Sequence, residues 1–203
     1  KAVGGSGGKS TRPRRTHNLP VDDMGKVKLP IQIGVAVTIV SLGVVRDDNV
    51  NFHNDKYIWP VGYQCKRNYF STVKVDTKVD YFCEVLDGGF KPLFKITPPD
   101  NEQATEVGTT ASGVWSAIMA KVNSLRTSKG LSASKTAVSG PEYYGLAYPE
   151  VRRLIQELPL ARNCAVPPLG NGCYKWHHFG DEIPEQPAAA PPPHAAQGAA
   201  GGR

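Results

Sequence analysis

Asn68-Tyr69-Phe70-Ser71-Thr72-Val73 and, further along, Ser139-Gly140-Pro141-Glu142-Tyr143-Tyr144-Gly145-Leu146 are the two stretches on which the fold turns. The first places adjacent aromatics in a run that predicts a strand over 67–74, followed around Asp76-Thr77 by a second strand over 78–86. In that second strand Val79, Tyr81, Cys83 and Val85 alternate with Asp80, Phe82, Glu84 and Leu86, the period of two that sends successive side chains to opposite faces of a sheet. Asp87-Gly88-Gly89 supplies the backbone freedom for a reversal into a third strand over 91–97, and Pro98-Pro99-Asp100 ends it. Upstream, 35–45 is rich in Val and Ile and reads as a strand buried on both faces. The segment from Asp100 to Thr110 reads as polar linker between two halves.

The second stretch lies between two helical patterns. Val114, Trp115, Ile118, Met119, Val122 and Leu125 fall on one face at helical spacing, with Ser112 as N-cap. Gly130 and the serines around it stop that helix. A second helix is expected over 149–158, with Pro149 in its first turn, Val151, Leu154, Ile155 and Leu158 as its apolar stripe and Pro159 as its terminator. Two amphipathic helices beside a strand-rich half need the sheet to cover their apolar faces. The expected class is therefore α+β, an antiparallel sheet with two packed helices.

Taken in order, Gly62-Tyr63, Arg67, Tyr69-Phe70-Ser71, Tyr81, Cys83, Asp87-Gly88-Gly89, Pro92, Phe94 and Ile96 make one half of a split pattern. Trp115, Ile118, Val122, Gly140-Pro141-Glu142, Tyr144-Gly145-Leu146, Pro149, Leu154-Ile155-Gln156-Glu157-Leu158-Pro159 and Cys164 make the other. The whole resembles the FY-rich pair, FYRN and FYRC, over roughly residues 29–179. The apolar lead-in from Leu29, the run Tyr57-Ile58-Trp59-Pro60-Val61-Gly62-Tyr63 and the closing Tyr174-Lys175-Trp176 are similar to the transforming growth factor beta regulator group. In that group the pair stands without a catalytic domain beside it; in trithorax-type histone methyltransferases and JmjC demethylases it is an accessory part. The chain departs from the pattern at Ala147-Tyr148 and carries an apparent insertion over 165–172.

The resemblance implies one module over 29–182, with an FYRN half at about 54–105 and an FYRC half at about 110–180. It implies that Gly62, Tyr69, Phe70, Tyr81, Gly88, Gly89, Trp115, Gly140, Glu142, Tyr144, Gly145 and Pro149 are motif residues that mainly hold the fold. Glu142 is expected to bond local backbone amides or Arg152. If an exposed recognition patch exists, Tyr144, Tyr148 and Trp59 are its candidates, since they sit in loops or at element ends.

The 203 residues are 40% hydrophobic and carry a formal charge of +6, a size and balance suited to one globular domain. The charge is uneven: residues 1–28 hold seven Lys or Arg against two Asp, whereas 29–203 hold seventeen against sixteen acids. Residues 1–28 read as a disordered basic tail and 183–203 as a disordered Ala/Pro/Gly-rich one. Lys9, Arg12, Arg14 and Arg15 are candidate nucleic-acid or nuclear-import contacts. The chain opens at Lys1 without a methionine, so it is expected to be a fragment or processed piece. No secretory signal is legible, and the cysteines at 65, 83, 164 and 173 show no short paired spacing, which suggests a reducing compartment.

Several apparent motifs fail on chemistry. Val3 to Ser10 ends in Gly-Lys-Ser like a phosphate-binding loop, but Val3 replaces the first required glycine and Thr11-Arg12-Pro13 follows where a helix should begin. Cys164, Cys173, His177 and His178 lack the close ligand pairs of structural zinc, so no metal is expected. No nucleophile stands beside a recognisable base, and the carboxylates are scattered. The apolar stretch 29–45 is broken by Pro30, Gln32, Thr38 and Ser41 and reads as strand rather than membrane span.

The expectation is a non-catalytic nuclear protein-interaction module in chromatin-linked transcription or growth and cell-cycle regulation. It would dock nuclear or chromatin-associated proteins, use no cofactor or small-molecule substrate, and contact no membrane. Two alternatives stand beside it. One is the accessory FYR region of a histone methyltransferase or demethylase whose catalytic domain lies outside this segment. The other is DNA binding through the basic N-terminal tail.

Overall fold

The computed structural model describes residues 19–23, 27–134, 137–165 and 173–179. A six-stranded antiparallel sheet runs in sequence order as a meander: β1 (Ile31–Ile33), β2 (Val37–Val44), β3 (Val61–Phe70), β4 (Lys78–Asp87), β5 (Pro92–Thr97) and β6 (Glu106–Gly108). Three α-helical segments follow: α1 (Ala111–Ser128), the single turn α2 (Gly140–Tyr143) and α3 (Pro149–Gln156). The fold is α+β, as the alternation of β4 and the stripe of α1 require.

Register follows from which side chains must share a face. Cys65 pairs with Cys83 and Arg67 with Tyr81 across β3 and β4, and Cys83 pairs with Ile96 across β4 and β5. Tyr63, Cys65, Tyr81, Cys83, Val85 and Ile96 are all fully buried on the face that α1 covers with Val114, Trp115, Ile118 and Val122. The opposite face stays polar: Gln64 donates to Glu84, and Glu84 pairs with Lys95 at 3.0 Å. One covered face and one wet face is the arrangement that alternating strands predict.

Four details differ from the sequence expectation. The apolar stretch 29–45 is a hairpin rather than one strand: Gly34, at φ +61, begins the turn between β1 and β2, and Val35 is 98% exposed at its tip. β2 then alternates, with Val37 and Ile39 buried and Val44 exposed, so it is covered on one face and not both. The linker contains β6, paired to β5 with Phe94 opposite Gly108. Thr110, not Ser112, caps α1, its hydroxyl accepting from Gly113 N, while the Ser112 hydroxyl accepts from Gly140 N.

The stretch expected to be an N-terminal tail reaches onto the domain. Val21 bridges Val27, Lys28 N donates to Pro20 O, and Leu19 and Val27 pack against the core. Lys9, Arg12, Arg14 and Arg15 lie outside the described residues, as do 166–172 and 180–203. Residues 173–179 pair with no strand among the described residues, although Tyr174 is buried.

Candidate interaction site

The two signature stretches meet at the centre of the molecule. The Tyr63 hydroxyl on β3 donates to the Tyr144 carbonyl at 2.7 Å, and the Tyr144 hydroxyl donates to the Lys95 carbonyl on β5 at 3.1 Å. The Tyr81 hydroxyl on β4 donates to the Phe70 carbonyl at 2.7 Å. Around them, Trp115 packs against the rings of Tyr69, Tyr81 and Tyr143 with centroids 5.0 to 5.8 Å apart. Each buried hydroxyl thus ties an aromatic from one segment to the backbone of another, and loss of such a bond strands a buried carbonyl at about 1–3 kcal/mol.

Two motif glycines explain why the second stretch can come so close. A Cβ on Gly140 would lie 2.2 Å from Ser112 N, so α2 seats directly on the first turn of α1. Gly145, at φ +79, turns the chain into the core, where a Cβ would lie 2.9 Å from Val37 Cγ1. Gly62 lies in β3, while Gly88 and Gly89 form the β4–β5 reversal; Pro149 opens α3. Phe70 and Tyr69 are half-buried rather than fully enclosed. Glu142 is exposed in the first turn of α2. Arg152 does not pair with it as expected: its guanidinium lies 4.8 Å over the Tyr57 ring and its Nε donates to Leu146 O.

Tyr144 is fully buried, which removes it from any surface patch; its place between Tyr143 and Gly145 disguised a core residue as a loop residue. Burial pushes the phenols of Tyr63 and Tyr144 and the thiol of Cys83 well above their ordinary values, and it pushes the Cys164 thiol up to about 11. These thiols are held protonated, the opposite of an activated nucleophile. Among the described residues no three His, Cys, Asp or Glu side chains gather as metal ligands, and no helix is long and apolar enough to cross a membrane. His177 instead serves a structural contact: Gln156, buried at the end of α3, accepts from His177 N and from the Tyr174 hydroxyl and donates to His177 O. That Gln156 anchor for the C-terminal segment is not signalled by any local pattern.

At the end of the sheet where β5 begins, on the side of the α1 N-terminus, a cleft of about 380 Å³ opens between loop 49–54 and the start of β5. Val50, His53, Trp59, Lys91, Phe94 and Thr110 are among its walls. The walls are fixed. Asn49 Nδ2 donates to the carbonyls of Gly89 and Phe90, and Arg46 bridges Asp48 and Asp87 at 2.7 and 2.9 Å while lying over the Phe52 ring. Trp59 stands edge-on to Phe94 with centroids 6.1 Å apart. Val50 is 42% exposed, and Phe90, next to Lys91 in the β4–β5 turn, is 72% exposed. Burial lowers the His53 imidazole below its ordinary value, so it is neutral near neutral pH. Of the three residues expected to form a patch, Trp59 alone lines this cleft; His53, Lys91 and Thr110 join it from distant parts of the sequence, so no motif revealed them.

The family described as F/Y-rich N-terminus matches residues 28–88, and that described as F/Y rich C-terminus matches 91–166. The first match starts at the β1–β2 hairpin, and the boundary between the two falls in the β4–β5 turn rather than in the polar stretch after β5. The chain is 31% identical over 179 residues to transforming growth factor beta regulator 1 of Mus musculus, an alignment covering 88% of this chain and 40% of that protein. It is 34% identical over 140 residues to histone-lysine N-methyltransferase TRX1 of Oryza sativa subsp. japonica, covering 66% of this chain and 13% of that one. Histone-lysine N-methyltransferase trr of Drosophila melanogaster is 32% identical over 113 residues, which is 53% of this chain and 5% of its own length. The chain thus spans less than half the length of the curated relatives it matches. Tyr63 lies in the first match and Trp115 and Tyr144 in the second, and the chain belongs to the FY-rich family, with FYRN and FYRC segments side by side.

Proposed function

We propose that this chain is a non-catalytic docking module that acts in the nucleus, in chromatin-linked transcription or growth and cell-cycle control. The observation that carries the proposal is the company the segment keeps: it recurs in a growth-factor regulator and as 13% and 5% of two histone methyltransferases. A unit that recurs as a small part of otherwise different proteins serves a role separable from their chemistry. The geometry supports the same reading, because the signature aromatics are spent on the core and the buried thiols are held protonated. Partners are nuclear or chromatin-associated proteins.

The test is affinity capture from nuclear extract with residues 1–203 and with 19–182, the latter starting at Leu19, the first of the described residues to pack on the core. Shared partners that survive nuclease treatment are expected. Partners seen only with the longer bait and lost on nuclease treatment would move function to Lys9, Arg12, Arg14 and Arg15 and to DNA. The second reading, an accessory region of a histone-modifying enzyme, is favoured by the 34% identity to TRX1. A catalytic SET or JmjC domain in the full reading frame would decide for it.

A further inference from the structure

The sheet face turned away from α1 carries one polar row between apolar side chains. Ser41, Gln64, Glu84, Lys95 and Val107 oppose one another in turn from β2 to β6, and residues opposed in this way share a face. Glu84 and Lys95 sit at the centre of the row, paired at 3.0 Å, with side chains 14% and 34% exposed. Leu86 opposes Leu93 on one side of that pair, and Phe82 opposes Thr97 on the other. Phe82, Leu86 and Leu93 are half-buried, and Val107 is 52% exposed. None of these four belongs to the core of the described residues or to the side chains packed against it. A strand with one face turned only to water reads polar at such positions, so their apolar character points to a cover. The face holds both signs, Lys66 and Lys95 with Asp80 and Glu84, and so lacks the single-sign field that nucleic acid requires.

We infer that this face packs against the same face of a second copy of the chain, as the two layers of a sandwich about 10 Å apart. The inference goes beyond the docking reading and stands without it. The order of the charges selects the occupant. A two-fold axis between the faces, parallel to the strands and midway between β4 and β5, lays β4 of each copy over β5 of the other without changing heights along the strands. Glu84 then faces the partner's Lys95, and Lys95 faces the partner's Glu84. By the same operation Leu86 meets the partner's Leu93, and Phe82 meets the partner's Thr97. The ion pair of one copy becomes a ring of four alternating charges in which no like charges face. Glu84 is already largely withdrawn from water in a single copy, so much of its desolvation cost is borne by the fold and not by association. Sheet twist rotates aligned layers by about 30°, so these pairings hold near the axis and loosen away from it.

The test is sedimentation equilibrium of the full chain from micromolar to millimolar concentration, with Glu84→Lys and Lys95→Glu as variants. The parent is expected to pass from monomer to dimer across that range. Each variant sets like charges face to face twice in its own dimer, so each is expected to associate at least about tenfold more weakly. An equimolar mixture of the two variants is expected to restore association, because one copy then presents two lysines to the two glutamates of the other. A variant that had merely lost its fold could not be rescued in this way. Leu86→Gln leaves the charges in place and is expected to weaken the parent dimer as well. A parent that stays monomeric throughout overturns the inference. So does association that neither reversal weakens, or weakened association that mixing fails to restore. Dimerisation seen only after removal of residues 180–203 gives the face to the chain's own segment and overturns the two-copy assignment too.

Discussion

The centre of the sheet and the cleft where β5 begins differ in how far their buried polar atoms are bonded. At the centre the hydroxyls of Tyr63, Tyr81 and Tyr144 each reach a backbone carbonyl from another segment, and Trp115 Nε1, though unbonded, is enclosed by three tyrosine rings. At the cleft His53 Nδ1 and Trp59 Nε1 are buried beside open volume and unbonded. The first arrangement uses hydroxyls to specify one packing of two sequence halves; the second leaves two ring nitrogens without a partner at a cost to stability. Substitutions at the centre should therefore cost stability and spare no function, whereas substitutions at the cleft should spare stability.

The largest expected effect is at Trp115, which is fully buried. Trp115→Asp should unfold β-sheet and helices together, a loss of about 5 kcal/mol or more, because an unpaired charge would sit in the shared core; circular dichroism melts that lose only the helical signal would break the comparison. Next is Gly140→Ala, where the new methyl meets backbone of α1 on its first turn. It should cost about 3 kcal/mol in urea denaturation. Tyr63→Phe, which strands the Tyr144 carbonyl, should cost about 1–3 kcal/mol with unchanged m-value. Trp59→Phe should stay within about 1 kcal/mol of the parent, since the N–H it removes has no partner to lose. A Trp59→Phe penalty equal to that of Tyr63→Phe would erase the distinction between the two regions.

The smallest effect is a pH dependence. Burial lowers the folded-state value of His53 below its ordinary 6.5, and that of His177 likewise. The unfolded chain then takes up these protons first, so the contribution is fully present above about 6.5 and declines as pH falls toward the lowered folded values. Melts recorded from neutral to mildly acidic pH should show this decline, and His53→Asn should reduce its slope. At the alkaline end the sign reverses in pH but not in cause: the Cys164 thiol, raised to about 11, contributes below its ordinary value of 9.0 and loses that contribution as pH rises through 11.

Period and punctuation made the middle of the fold legible. The alternation of Tyr81, Cys83 and Val85 and the stripe of Val114, Trp115, Ile118 and Val122 determine strand and helix by themselves, and both match the observed burial. The β1–β2 hairpin was hidden because Gly34-Val35-Ala36 is as apolar as the strands it joins, so the turn carries no polar signal although Val35 is almost wholly exposed. β6 was hidden because three residues at a sheet edge need little hydrophobicity; they inherit their pairing from β5. Tyr144 was misplaced because its burial depends on Gly145 turning the chain and on a phenol partner, Lys95 O, far away in sequence. The cleft was invisible for the same reason on a larger scale: His53, Trp59, Lys91 and Thr110 become neighbours only after the meander has folded. Gln156 lies within the motif run Leu154 to Pro159, but its role depends on residues 173–179 returning to it.

The central claim is that the FYRN and FYRC segments share one core and open as one unit. Native-state hydrogen exchange across increasing urea tests it most directly, by comparing the slowest amides of β3 and β4 with those of α1. The account predicts that both sets converge on a single opening free energy and that Tyr63→Phe lowers it equally for both. Separate isotherms, with α1 opening well below β3 and β4 and indifferent to Tyr63→Phe, would contradict it.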